Sequence, residues 1–260
     1  MELLEERGAS APVTTPVQKS RTNVLRWMPA ASTTALLAFA GVLIVINTLM
    51  LFVDYNPFVG ALTLVFAFGL EQSLATWFSS FVLAYCAVLI GLIAWERTTH
   101  KMPFARHWAY LCMIFFALSA DEVAGFHENV SVTISGVVET SGLFFFAWVI
   151  PALVIVVGFA LAYASFAYHL PPRIRWWFIG ALATFIFGAL GMEMLSGLYL
   201  DYRPRDGWFS VMIIIEEGTE MLGACWLAHA MLVYVREYCN IQVNLSSTPV
   251  ESGDDDRSSE

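Results

Sequence analysis

The sequence predicts an all-α, polytopic membrane helix bundle of about six transmembrane helices with both termini cytoplasmic. Three observations carry this. The 260 residues are 58% hydrophobic and only 13% charged, about half the charged share of a soluble domain; the mean hydropathy is +0.66. Apolar runs reach the roughly 20 residues of a membrane span six times. Lys and Arg fall mostly on one side of those runs, as the positive-inside rule expects.

The elements follow in order. Residues 1–30 are polar, with Pro12 and Pro16, and read as a disordered cytoplasmic tail without a cleavable signal peptide. Spans are expected near 32–53, 75–95, 108–128, 143–166, 176–199 and 209–235, within a bundle over 31–237. Residues 238–260, with Asp254, Asp255 and Asp256, read as an acidic disordered cytoplasmic tail. The run from Phe58 to Leu70 is short and ends at Glu71, which leaves a re-entrant helix, an interfacial helix and an extension of its neighbour open. Pro151 lies inside the fourth expected helix, as a kink or as an ordinary membrane-helix proline. Cys86, Cys112, Cys225 and Cys239 all lie in segments expected within or at the membrane, so buried apolar cysteines are expected rather than a disulfide framework.

Orientation follows from charge. Eleven of the thirteen Lys and Arg residues lie in the N-terminal tail, the loops around Arg97–Arg106 and Arg173–Arg175, and the C-terminal tail. The other loops hold only Arg203 and Arg205. The net charge of −9 comes largely from the C-terminal tail and from acids inside the spans. A basic footprint for nucleic acid is absent.

Those acids are the functional signal. Asp121, Glu122, His127 and Glu128 end the third expected span, Glu193 lies in the fifth, and Glu216, Glu217 and Glu220 lie in the sixth. A carboxylate at the bilayer centre costs about 2.5–3.5 kcal/mol. At 1.5 Å rise per residue, three helices place these acids at one depth, in the outer leaflet. At 100° per residue, Asp121 and Glu128 share one side of their helix, and Glu216, Glu217 and Glu220 fit one arc. Like charges so close need protons, a metal ion or a basic partner. Thr76-Trp77-Phe78-Ser79-Ser80 offers hydroxyls to cap the second helix or touch a ligand. Asp54 and Glu71 read as loop acids.

Carboxylates with one imidazole suit iron, manganese or zinc. A dinuclear helical-bundle site uses Glu-x-x-His pairs, which this chain lacks. The simpler expectation is one divalent transition metal (Fe, Mn or Zn) held by Glu122, His127, Glu193, Glu216 and Glu217, with Glu220 or Glu128 as general base. A protonated acid cluster that fixes helix register is the bland alternative.

Several stretches together resemble a family of uncharacterised bacterial multi-pass membrane proteins. They are Thr76-Trp77-Phe78-Ser79-Ser80 after Glu71, Asp121-Glu122 with His127-Glu128 (D-E-x4-H-E), Gly191-Met192-Glu193 (G-x-E), and Glu216-Glu217-Gly218-Thr219-Glu220-Met221 (E-E-x-x-E-M), with Phe146 to Pro151 between. The family pattern has a proline where this chain has Ala75. The resemblance implies a bacterial inner (plasma) membrane and the same polar residues, and brings no activity. Three functions stay open: a metal-dependent membrane hydrolase or oxidase acting on a lipid or small substrate, a proton- or cation-coupled transporter, and a structural or accessory subunit. The one partner the sequence names is the lipid bilayer.

Overall fold

The computed structural model describes residues 23–239 except Tyr55 and Glu71, with side chains from Pro29 onward. Residues 1–22 and 240–260, where most of the two polar tails were expected, lie outside the described residues, as does Glu71. Nine α-helices make up the described chain: α1 (Asn23–Met50), α2 (Pro57–Phe66), α3 (Leu74–Thr99), α4 (Ala105–Ala124), α5 (Phe126–Ser135), α6 (Val149–His169), α7 (Pro172–Ile186), α8 (Glu193–Tyr202) and α9 (Gly207–Tyr238). A 3₁₀ turn at Gly142–Phe144 precedes α6, and a π-helical turn at Phe187–Met192 joins α7 to α8.

Four segments are long and apolar enough to cross a membrane: Pro29–Met50, α3, α6 and the continuous Pro172–Tyr202. A fifth forms if α4 and α5, bent by 72° at Gly125, count as one broken span. The expected count of six is not reached. α9 has 32 residues, about 48 Å of helix, but its three glutamates keep it out of that set.

α3 and α4 form the most extensive helix pair, and α9 packs against α1, α3 and α7. The core lies between them, with Trp108, Phe166, Phe178 and Tyr234 among its largest buried side chains. Arg97, Lys101, Arg106, Arg173, Arg175 and Arg236 gather at the end of the bundle where α3 and α9 finish and α4 and α7 begin. There Arg97 donates to the Tyr234 hydroxyl and Arg173 lies over the Trp177 ring. α6 is peripheral: Val154, Ile155 and Leu161 are each about 70% exposed or more, as a lipid-facing helix requires.

Several expectations are corrected. The helix expected over 108–128 breaks at Gly125, whose φ of +57° ends α4 and starts α5. Glycine takes that left-handed conformation without a Cβ clash. Residues 58–70 are neither span nor extension: α2 is a separate short helix, capped by Asn56, whose side chain accepts from the Phe58 and Val59 amides. Pro151 is no interior kink. α6 starts at Val149, so Pro151 sits in the first turn, where its missing N–H has no helical partner to lose. α3 is capped by Ser73 rather than by the Thr76–Ser80 stretch; the Ser73 hydroxyl accepts from the Thr76 amide at 3.2 Å.

Candidate functional site

The site lies at the end of the bundle opposite the Arg-rich cluster, and it is assembled by local breaks in helix geometry. At the α4–α5 bend, the Gly125 amide donates to the Asp121 carbonyl at 2.8 Å. The Asp121 side chain then caps α5: Oδ1 accepts from the His127 amide at 3.0 Å, and Oδ2 takes the His127 Nδ1–H at 2.9 Å. One carboxylate thus fixes both backbone and ring of His127. A ring held through Nδ1 leaves Nε2 available. The imidazole lies 4.9 Å from the Trp148 ring, centroid to centroid.

Trp148 extends the chain of contacts. Its Nε1–H donates to Glu193 Oε1 at 3.2 Å. Glu193 follows directly after the π-turn, a helix irregularity that recurs at functional positions. The turn also brings Gly188 against α9: a Cβ there would sit 2.6 Å from Glu220 Cγ and 2.9 Å from the Glu216 carbonyl oxygen. Glycine at 188 therefore allows the Glu193 segment to reach the glutamates of α9. Glu216 is 9% exposed, its carboxyl faces Glu193 and Ser196, and its Oε2 is buried without a hydrogen-bond partner.

The other acids close the group. Glu220 lies within electrostatic reach of Glu122, Glu193, Glu216 and Glu217. Glu122 lies beside Ser79 of α3. Glu217 accepts the backbone amide of Gly69, in the non-helical stretch after α2. That stretch is held by buried Asn47, whose Nδ2 donates to the Leu43 and Phe66 carbonyls, each at 2.9 Å, and whose Oδ1 accepts the Phe68 amide at 2.9 Å. Irregular backbone inside a membrane protein must be satisfied in this way.

Glu122, Glu193, Glu216 and Glu217 thus gather around Glu220, with His127 linked through Trp148 and Glu193. Among the described residues, none of these five glutamates forms an ion pair with Lys or Arg; the ion pairs there are His127–Asp121, Arg173–Glu237 and Arg236–Glu237. Nor, among those residues, are three His, Cys, Asp or Glu side chains arranged to hold one metal ion. Glu128 does not join the group. The bend puts it on α5, exposed to solvent and near His127, so its expected alignment with Asp121 on one helix face does not hold. Asp54 is exposed in the loop after α1.

Sequence reasoning missed the partners: Asp121 as anchor of His127, Trp148 as donor to Glu193, Ser79 beside Glu122, and Asn47 with Gly69 behind Glu217. The Trp148-to-Pro151 stretch and the glycine at 125 were the available signals. Beyond the spans, Asp206 caps α9 by accepting the Trp208 and Phe209 amides. The Tyr199 hydroxyl donates to it at 2.8 Å and, with those amides, holds its carboxyl below the usual aspartate value. All four cysteines are free thiols.

No curated protein and no solved structure matches the chain. A family match covers residues 34–235, which hold every residue of the site, and on that match the chain belongs to the family described as a domain of unknown function (DUF8692).

Proposed function

We propose that the protein is a proton- or cation-coupled membrane transporter whose coupling site is the glutamate group. One observation carries this reading: the four glutamates gathered around Glu220, and Glu220 itself, have no Lys or Arg ion pair among the described residues. Such a group stays in the membrane only if protons or bound cations compensate it. Proton and cation then compete for the same oxygens, which is the elementary requirement of coupling. α9 serves as a sixth span, made tolerable by facing its acids inward. The Arg-rich end faces the cytoplasm by the positive-inside rule, and the resemblance to bacterial multi-pass proteins supports a bacterial inner membrane.

The test is cation-linked proton release. Purified protein in lightly buffered nanodiscs receives Na⁺, K⁺, Mg²⁺, Mn²⁺ or Zn²⁺ while the bulk pH is followed. Saturable release with one cation, lost in Glu216→Gln and Glu220→Gln, is expected. Wild-type protein that releases no protons with any of them removes the basis of the reading.

A metal-dependent membrane enzyme is the second reading, favoured by the Asp121–His127 pair. Carboxylates hold metal-ligating histidines in this way, leaving Nε2 for the ion. Glu122, His127, Glu193, Glu216 and Glu217 would supply donors to Fe, Mn or Zn, and Glu220 or Glu128 a general base. Stoichiometric transition metal in purified protein, lost in both His127→Ala and Glu217→Gln, selects this reading over the first.

A further inference from the structure

An open cleft of about 830 Å³ lies between α5 and the segment leading to α6, within the roughly 300–1,000 Å³ typical of small-ligand sites. Its two walls differ in chemistry. Ser131, Ser135, Glu139 and Thr140 form a hydroxyl- and carboxylate-bearing wall; Phe145 and Phe146 form an aromatic one. The two phenyl rings stand nearly perpendicular, at 83° with centroids 5.2 Å apart.

The cleft neighbours the candidate site. His127, Ser131 and Ser135 recur every four residues along α5 and so share one stripe of that helix. The Ser131 hydroxyl accepts the Ala147 amide at 3.0 Å, one residue before Trp148. A Cβ on Gly197, one turn beyond Glu193, would touch Phe146 at 3.1 Å. Both walls are therefore built on the segments that carry the residues linking His127 to Glu193.

Charge selects the ligand. Glu139 is the one ionisable side chain lining the cleft, and no Lys or Arg lines it. An anion would meet the Glu139 carboxylate and no counter-charge in the lining. An inorganic cation would leave the phenyl rings unused. An organic ammonium matches both walls: aromatic faces attract its alkylated charge, and hydroxyls and carboxylate accept its N–H groups.

We propose that this cleft binds a small organic ammonium ion, as a free amine or as the headgroup of a lipid, and that it is the mouth of the transport site. The second clause rests on the transporter reading above; the first stands on the cleft alone.

The experiment measures binding of ethanolamine and tetramethylammonium to the full chain in phosphatidylglycerol nanodiscs by calorimetry, with tert-butanol and acetate as neutral and anionic controls. Saturable binding of an ammonium probe is expected, with none for the controls. Glu139→Gln should weaken it by about fivefold, the scale of one exposed charge pair. Ser135→Trp, at an exposed helix position, should fill the cleft and abolish it. Repeating the titration with phosphatidylethanolamine in the nanodisc separates the sources. Loss of probe affinity by competition assigns a lipid headgroup, and unchanged affinity assigns a free amine. Binding that survives in Glu216→Gln, where cation-linked proton release is lost, separates cleft from glutamate group. If wild-type protein binds neither ammonium, binds tert-butanol equally well, or binds unchanged in both cleft variants, the proposal is overturned whatever the glutamates do.

Discussion

Gly223→Ala should loosen the crossing of α7 and α9 that covers the glutamates. A Cβ at 223 would lie 2.6 Å from the Phe185 amide nitrogen and 2.9 Å from its Cα, well inside the 3.4 Å where ordinary contact begins. The obstacle is backbone, so no rotamer change relieves it and α7 must retreat. Overpacking of this kind costs about 1–3 kcal/mol. In a chain of this size each kcal/mol moves the melting midpoint by roughly 2–4 °C, so a fall of about 2–12 °C is expected. Gly158→Ala is the matched control. Gly158 lies within α6 with nothing within 4 Å of a new Cβ, and alanine there gains up to about 1 kcal/mol of helix propensity. The two substitutions have identical chemistry and should move stability in opposite directions. Thermal unfolding of both variants in the same detergent measures this. Equal shifts, or a Gly223→Ala protein as stable as wild type, would refute the close α7–α9 approach.

Asn47→Leu should release the chain after α2. It strands the Phe68 amide and the Phe66 carbonyl, at about 1–3 kcal/mol for each buried group left unpaired. Hydrogen exchange over residues 57–70 should rise, and protection equal to wild type would count against Asn47 as the anchor. Asp206→Asn should flatten the acid limb of stability. The Asp206 carboxyl is held below the ordinary 3.8, first by the Tyr199 hydroxyl. Its stabilising effect is therefore fully present above 3.8 and fades as pH falls through the lower folded-state value. Asparagine keeps an acceptor for the α9 amides and removes the titration. Unfolding midpoints followed from about pH 5 to pH 2 should separate the two proteins in slope, and superimposable acid limbs would exclude the mechanism.

The helices were legible because hydropathy is a property of single segments. Four of the six expected runs overlap one α-helix each, and α3 at Leu74–Thr99 brackets the expected 75–95; the runs at 108–128 and 176–199 each fall on two. What failed was continuity. Asp121, Glu122, His127 and Glu128 flank Gly125, so hydropathy fades there whether the helix continues or bends by 72°; only the glycine, with its positive φ, signals the bend. The π-turn before Glu193 is equally silent, because an extra residue per turn changes register rather than composition. The acids themselves were legible as charged residues inside apolar runs, where each has a desolvation cost. Their partners were not, because Trp148, Asn47 and Gly69 read as ordinary membrane-helix or loop residues until the fold brings them within reach.

α9 shows how packing settles what composition leaves contradictory. As an isolated segment its three glutamates disqualify it as a span. In the bundle its exposed apolar residues Ile215, Leu222 and Trp226 recur at intervals of seven and four, a single lipid-facing stripe. The rest of its surface meets protein. Thr33 of α1 bonds His229 at 2.8 Å, Cys86 of α3 bonds the Ala224 carbonyl at 3.4 Å, and Phe185 at the end of α7 abuts Gly223. Gly218, against Ile44 of α1, and Gly223, against Phe185, are both buried, letting neighbours approach as small residues do between membrane helices. Close approach of neighbouring helices thus buries the glutamates of α9, with no Lys or Arg paired to them among the described residues, so the glycines that pack α9 also shape the surroundings of its acids.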